Sequence, residues 1–214
     1  MQRRPLADRL RPTSFAEVAG QRHLLGEGGA LAAMIERGYL PNMIFWGPPG
    51  TGKTTVAGII AARSGMTLHR LNATSASTQD VKDVIAESGT LLGSAGTLLY
   101  LDEIQYFNKK QQQTLLESLE SGSVTLIAST TENPYMYVYN ALISRSVVFE
   151  FKSLAPGEIS GVLLRGLGEL NGEQCGSAVA PTVHDGESYT AEGGERAISD
   201  GALDYISRAA AGDV

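Results

Sequence analysis

Gly47-Pro48-Pro49-Gly50-Thr51-Gly52-Lys53-Thr54 is the feature that most constrains this chain. Its glycine, lysine and threonine spacing is that of a phosphate-binding loop, which must follow a strand and open a helix. The glycines let the backbone curl so that its N–H groups face phosphate oxygens, and the helix N-terminus adds a favourable dipole. Lys53 can reach the β- and γ-phosphates of a nucleotide, and the Thr54 hydroxyl can ligate Mg²⁺. Thr55 follows in the same first helical turn and is counted with the nucleotide-binding residues.

The flanking sequence supplies the context the loop demands. Met43-Ile44-Phe45-Trp46 reads as a buried strand with Trp46 in the core, and Lys53–Ser64 as a helix stopped by Gly65. Apolar runs then alternate with helical patterns, which predicts a parallel sheet with crossover helices. Strands are expected at Thr67–Leu71, Thr97–Leu101, Val124–Ser129 and Val147–Phe151. Ser77 with Asp80 marks a helix start running to about Ser88, and Asn108 is expected to cap a helix carrying Leu115, Leu116 and Leu119 on one face. The fold class is α/β: a five-stranded parallel sheet flanked by helices over residues 1–152, then a partial helical lid over 153–214. That lid is expected to hold helices over about 156–170 and 200–211. Asn171–Gly194, with four acidic residues and no Lys or Arg, is expected to be a mobile loop containing Cys175.

Leu98-Leu99-Tyr100-Leu101-Asp102-Glu103 brings two carboxylates to the end of a buried strand, the sheet edge where ligands bind in open α/β folds. Asp102 would hold Mg²⁺, and Glu103 would orient and polarise an attacking water. The Thr131 hydroxyl, after the next strand, can bond the γ-phosphate or that water; satisfying a strand end is its other reading. Arg145 could complete a neighbouring subunit's site or form a surface salt bridge, and the sequence leaves both open. His23, His69 and His184 lack ligand spacing.

Charge narrows the partners. The net charge is −6, but residues 1–152 hold 14 of the 17 Lys and Arg against 13 of the 23 Asp and Glu. The acidic excess belongs to the C-terminal part. A nucleic-acid contact would have to use local patches such as Arg3, Arg4, Arg9 and Arg11, or Lys109 and Lys110. The one cysteine cannot form an internal disulfide. Neither a secretory leader nor a run of about 18 apolar residues is present, so the expectation is a cytoplasmic protein without a membrane.

These residues together resemble the AAA+ ATPases of the clamp-loader branch, and within it the replication-associated recombination protein A family, bacterial counterparts of the Werner helicase-interacting ATPases. Besides the loop and the acidic pair, the likeness rests on Leu6–Pro12, on Val18-Ala19-Gly20-Gln21 with His23–Gly26, and on Leu40–Trp46. Phe107–Gln112, Thr130-Thr131-Glu132-Asn133-Pro134 and Ala141–Arg145 complete it. It implies an ATP- and Mg²⁺-dependent ATPase. Arg11, Pro12, Val18 and Gln21 would sit on the adenine side, Thr131 would be the sensor-1 residue and Arg145 an arginine finger acting in trans.

The resemblance also implies a homo-oligomer acting on DNA at junctions or forks during replication and recombination, nucleoid-associated and partnered by single-stranded DNA-binding protein. Because the chain ends at Gly212-Asp213-Val214, before the family's second sensor arginine, a weakly active fragment is expected. Ser129 replaces the family's usual alanine, with little consequence expected. The alternatives are a protein-remodelling ATPase, a clamp-loader subunit, or a nucleotide switch that does not hydrolyse. Asn72–Thr78 carries no aromatic grip for polypeptide, which counts against an unfoldase, and the intact Asp102-Glu103 pair counts against a switch.

Overall fold

The computed structural model describes residues 5–88, 96–175, 183–184 and 198–210. In chain order its helices are α1 (Leu6–Arg9), α2 (Arg22–Leu25), α3 (Ala30–Glu36), α4 (Lys53–Ser64), α5 (Thr78–Ser88), α6 (Lys109–Glu120), α7 (Pro134–Tyr137), α8 (Asn140–Ile143), α9 (Pro156–Cys175) and α10 (Asp200–Ala209). The strands are β1 (Met43–Trp46), β2 (Thr67–Asn72), β3 (Thr97–Asp102), β4 (Thr125–Thr130), β5 (Val147–Glu150), β6 (Val183–His184) and β7 (Ile198–Ser199). Two compact units result, residues 13–152 and residues 1–12 with 153–214, so, among the described residues, 5–12 belong with the C-terminal helices.

In the larger unit five parallel strands lie in the order β2-β3-β4-β1-β5. Side chains alternate across a strand, and here they divide between two cores. Met43, Phe45, Leu98, Tyr100 and Ile127 join α4 on one face, with Phe45 against Phe149 and Phe151. Ile44, Leu99, Leu101, Leu126 and Ala128 join α5 and α6 on the other. Because both faces are covered, the central strands read as continuous apolar runs. Among the described residues β2 has β3 as its one neighbouring strand, and its residues, all exposed or half-buried, reflect that edge position.

Local chemistry fixes several boundaries. Gly65 ends α4 at φ 70°, a left-handed position that costs glycine little. Asn108 Oδ1 accepts from Gln111 N–H at 3.0 Å, and Asn108 N–H donates to Gln111 Oε1 at 2.9 Å, a reciprocal cap that starts α6. The Asp80 carboxylate accepts from both the Ser77 backbone N–H and its hydroxyl, at 2.7 and 2.8 Å, ahead of α5.

The expectations need four adjustments. Trp46 is half-buried at the end of β1 rather than in the core. In the smaller unit α9 runs on to Cys175, so that residue closes a helix rather than lying in a loop; α10 ends at Ala209. Within the span expected to be an acidic loop, Val183–His184 form β6, which pairs in parallel with β7; residues 176–182 and 185–194 lie outside the described residues. Among the described residues no helix is long and apolar enough to cross a membrane.

Candidate active site

The loop between β1 and α4 stands where the strand order reverses, with β4 on one side of β1 and β5 on the other. Gly47 is wedged between them. Its N–H donates to Thr130 O at 3.1 Å, and a Cβ at this position would lie 2.0 Å from Phe151 O. Its φ of 144°, with 67° at Gly50 and 94° at Gly52, gives the loop its curl. Pro48 O accepts from Thr51 Oγ1 at 2.9 Å, bracing the turn. Lys53 is buried, and its Nζ donates to Gly47 O and Pro48 O, both at 2.6 Å, so the ammonium folds over the loop.

Strand parity brings the next residues together. Tyr100 and Asp102 share the α4 face of β3, and Ser129 shares it on neighbouring β4. The Tyr100 hydroxyl lies 2.9 Å from Thr54 Oγ1, 2.9 Å from Ser129 Oγ and 3.2 Å from Asp102 Oδ1. Ser129 Oγ itself donates to Asp102 Oδ1 in a short hydrogen bond. A directional chain can run Thr54 to Tyr100 to Ser129 to Asp102, each hydroxyl donating once and the carboxylate only accepting. Burial pushes the Tyr100 hydroxyl well above the usual phenol range, so it stays protonated and available as a donor.

This cluster adds one partner to the expected site. Ser129, which was expected to matter little, is hydrogen-bonded to the carboxylate expected to hold the metal. Thr54 and Asp102 offer a hydroxyl and a carboxylate oxygen joined through one tyrosine, a hard-oxygen set suited to Mg²⁺. The glycine curl ahead of them has backbone that a phosphate can approach closely. The residues present fit both groups.

Glu103 departs from strand geometry. At φ 56° and ψ 48° it is left-handed, an uncommon state for a residue with a Cβ, and it turns the chain into the short 3₁₀ turn Ile104–Tyr106. Its Oε2 accepts from Thr131 Oγ1 at 3.3 Å and from Gln105 Nε2 at 2.5 Å. Glu103 and Thr131 thus meet across the ends of β3 and β4.

The other expected site residues are placed differently. Gln21 is buried and left-handed at φ 51°, and its amide braces backbone. Nε2 donates to Lys152 O at 2.7 Å and Thr51 O at 3.3 Å, while Oε1 accepts from Lys152 N–H at 3.0 Å. That makes it a strut between the loop and the chain after β5. Val18 Cγ1 would lie 3.7 Å from a Cβ on Gly52, close beside the loop. Thr55 occupies the first turn of α4, partly buried. Arg11 and Pro12 belong to the smaller unit, where Arg11 approaches Asp8 at 3.5 Å. Arg145 follows α8 and pairs with Glu120 Oε1 at 2.8 Å, both side chains about half exposed. Its Nη1 also donates to Ala141 O at 3.1 Å.

Sequence reasoning missed Tyr100 and Gln105. Tyr100 was legible, since two residues before Asp102 on a strand means the same face. Gln105 was not, because its place depends on the backbone reversal at Glu103.

The sequence model of the family described as "ATPase family associated with various cellular activities (AAA)" matches residues 43–154. Replication-associated recombination protein A of Haemophilus influenzae is 44% identical over 160 residues, 74% of this chain and 36% of that protein. The Escherichia coli K12 protein of the same name is 42% identical over 165 residues, 76% of this chain and 37% of that protein. The chain therefore spans little more than a third of these curated relatives. Among solved structures, a Thermotoga maritima RuvB variant superposes with a TM-score of 0.70 at 22% identity, covering 95% of this chain and 61% of that one. That likeness speaks to fold alone.

Proposed function

Since this chain belongs to the AAA family of ATPases, we propose that it is the nucleotide-binding part of a Mg²⁺-dependent, DNA-associated ATPase acting in replication-linked recombination. One observation carries the chemistry: the hydrogen-bond chain that draws Thr54 and Asp102 to a single tyrosine hydroxyl at the mouth of the glycine loop. The names of the relatives, replication-associated recombination proteins, support the biological setting.

In this reading the loop N–H groups and the α4 N-terminus hold the phosphates, and Lys53 swings from the Gly47 and Pro48 carbonyls onto them. Thr54 and Asp102 hold Mg²⁺, which would neutralise charge on the phosphate oxygens. Glu103 orients the attacking water and accepts its proton, with Thr131 beside it to fix the carboxylate and meet the γ-phosphate. Val18 lines the adenine side, and Gln21 serves it by holding the loop rather than by touching the base. Arg145 leaves Glu120 to reach a neighbouring protomer's nucleotide. An exposed pair of this kind is worth about 0–1 kcal/mol, so releasing it is cheap. A homo-oligomer, single-stranded DNA-binding protein as partner and a cytoplasmic, nucleoid-associated location belong to the same reading.

The test is ATP hydrolysis by the full-length protein, with and without DNA carrying a single-strand/double-strand junction. Lys53→Ala should reduce turnover to background and weaken ATP binding; normal affinity in that variant would remove the loop assignment. Stimulation by the junction supports the DNA reading. Turnover indifferent to every DNA would favour a protein-remodelling ATPase instead.

A further inference from the structure

We propose that Gln105 is a positioning residue that holds the Glu103 carboxylate at the end of β4 through its side-chain N–H. The inference rests on the reading of Glu103 as the carboxylate that orients water. Gln105 sits in the 3₁₀ turn directly after the left-handed residue, two positions from Glu103. Its Nε2 donates to Glu103 Oε2 at 2.5 Å and lies 3.4 Å from Thr131 Oγ1, which donates to the same oxygen. One carboxylate oxygen thus takes donors from the ends of two neighbouring strands. That fixes the rotation of the carboxylate and directs Oε1, which these donors do not engage, to the water.

The other end of the amide argues that this contact is why a glutamine stands here. Gln105 Oε1 is buried with no hydrogen-bond partner. A buried acceptor left unmade is destabilising, and a leucine of similar length would fill the space without that cost. What leucine lacks is the N–H on Glu103. Glu103 itself holds an unfavourable backbone conformation that the turn must maintain. An unsatisfied acceptor and a strained carboxylate residue, joined by a short charge-assisted hydrogen bond, form an arrangement favouring position over stability.

The experiment has two arms on the full-length protein. In single- and multiple-turnover ATP hydrolysis with Mg²⁺, Gln105→Leu should lower kcat by about 10- to 100-fold, the scale of a misplaced catalytic group, with KM within about twofold. Gln105→His, which keeps a ring N–H at comparable reach, should recover most of that loss. In nucleotide-free protein, a double-mutant cycle of Gln105→Leu with Glu103→Ala, read by denaturant unfolding, should show coupling of about five- to tenfold in the unfolding equilibrium.

Wild-type kcat in Gln105→Leu overturns the proposal, as does a histidine variant no better than leucine, or additivity in the cycle. Glu103→Gln is the separate control. If that variant turns over normally, the role of Glu103 falls and the catalytic consequence of Gln105 falls with it. The coupling in nucleotide-free protein then still decides whether Gln105 holds the carboxylate.

Discussion

At the scale of single residues, the metal-side cluster behaves as a relay with a spare path. Ser129 stands between the Tyr100 hydroxyl and Asp102, yet Tyr100 also lies 3.2 Å from the carboxylate. Ser129→Ala leaves tyrosine free to donate to Asp102 directly, so the expected rise in the Mg²⁺ concentration for half-maximal ATPase is only about threefold, below the roughly 1 kcal/mol of a typical hydrogen bond. Tyr100→Phe removes the hydroxyl that also touches Thr54. The double variant should therefore lose more than the product of the two single losses, because the spare path is gone. A Mg²⁺ titration of ATPase activity for the four proteins measures this, and multiplicative behaviour would mean the relay is not shared. Arg145 poses a different question. Its exposed pair with Glu120 predicts that Glu120→Ala changes unfolding free energy by less than about 1 kcal/mol. If Arg145 acts in trans, Arg145→Ala should cut kcat of the assembled protein by roughly 10³ or more while Glu120→Ala leaves it near wild type. Equal turnover in both variants would make the surface pair its whole role.

Whole elements depend on a few groups at their ends. Asn108→Ala removes a reciprocal cap from α6, which packs Leu115 into the core behind β3 and β4. The expected loss is about 1 kcal/mol in denaturant unfolding, with ATP affinity unchanged. Asp80 ahead of α5 makes a pH prediction. Its hydrogen bonds to Ser77, chiefly to the backbone N–H, hold its carboxyl below the usual carboxylate range. A lowered folded-state pKa means stability that is present once pH exceeds the unfolded-state value and is lost as pH falls through the folded-state one. Acid unfolding curves should accordingly show a small loss that Asp80→Asn removes; an unchanged acid limb would deny Asp80 this contribution. These ends also show why much of the fold was legible. Asn108 with Gln111, Ser77 with Asp80, and Gly65 are local signals, and the apolar runs of β1, β3 and β4 follow from burial on both faces. Short helices such as α2 and α7 carry too few residues for a period, and α9 outran its expected end because Asn171-Gly172 reads locally as a helix stop, yet the helix continues through it to Cys175. Within the site, loop and acidic-pair residues were legible because their spacing is local. The Tyr100–Ser129 contact depends on which strands are neighbours, and Gln105 on one backbone reversal, so neither is written in any local run.

For the molecule as a whole, charge sets the terms on which it could meet DNA. A chain with net charge −6 cannot rely on a general positive field, so any affinity must come from a few lysines and arginines close to the phosphates. Two candidates are already engaged: Arg9 bonds Glu169 at 3.0 Å, and Arg11 approaches Asp8. Lys109 lies 5.2 Å from the Tyr139 ring centroid, a contact that leaves ammonium protons for a phosphate, and Lys110 beside it is exposed. These two lysines open α6 and are not members of the hydroxyl relay, so basal hydrolysis near wild type is the expected outcome of removing them. If both meet phosphates, Lys109→Ala with Lys110→Ala should flatten the plot of log affinity against log salt by about 1.4–1.8 units, because each contact releases roughly 0.7–0.9 of a counterion. The measurement is junction-DNA binding across salt concentrations, with DNA-free ATPase as the control. A slope equal to wild type would move the DNA contact away from these two lysines.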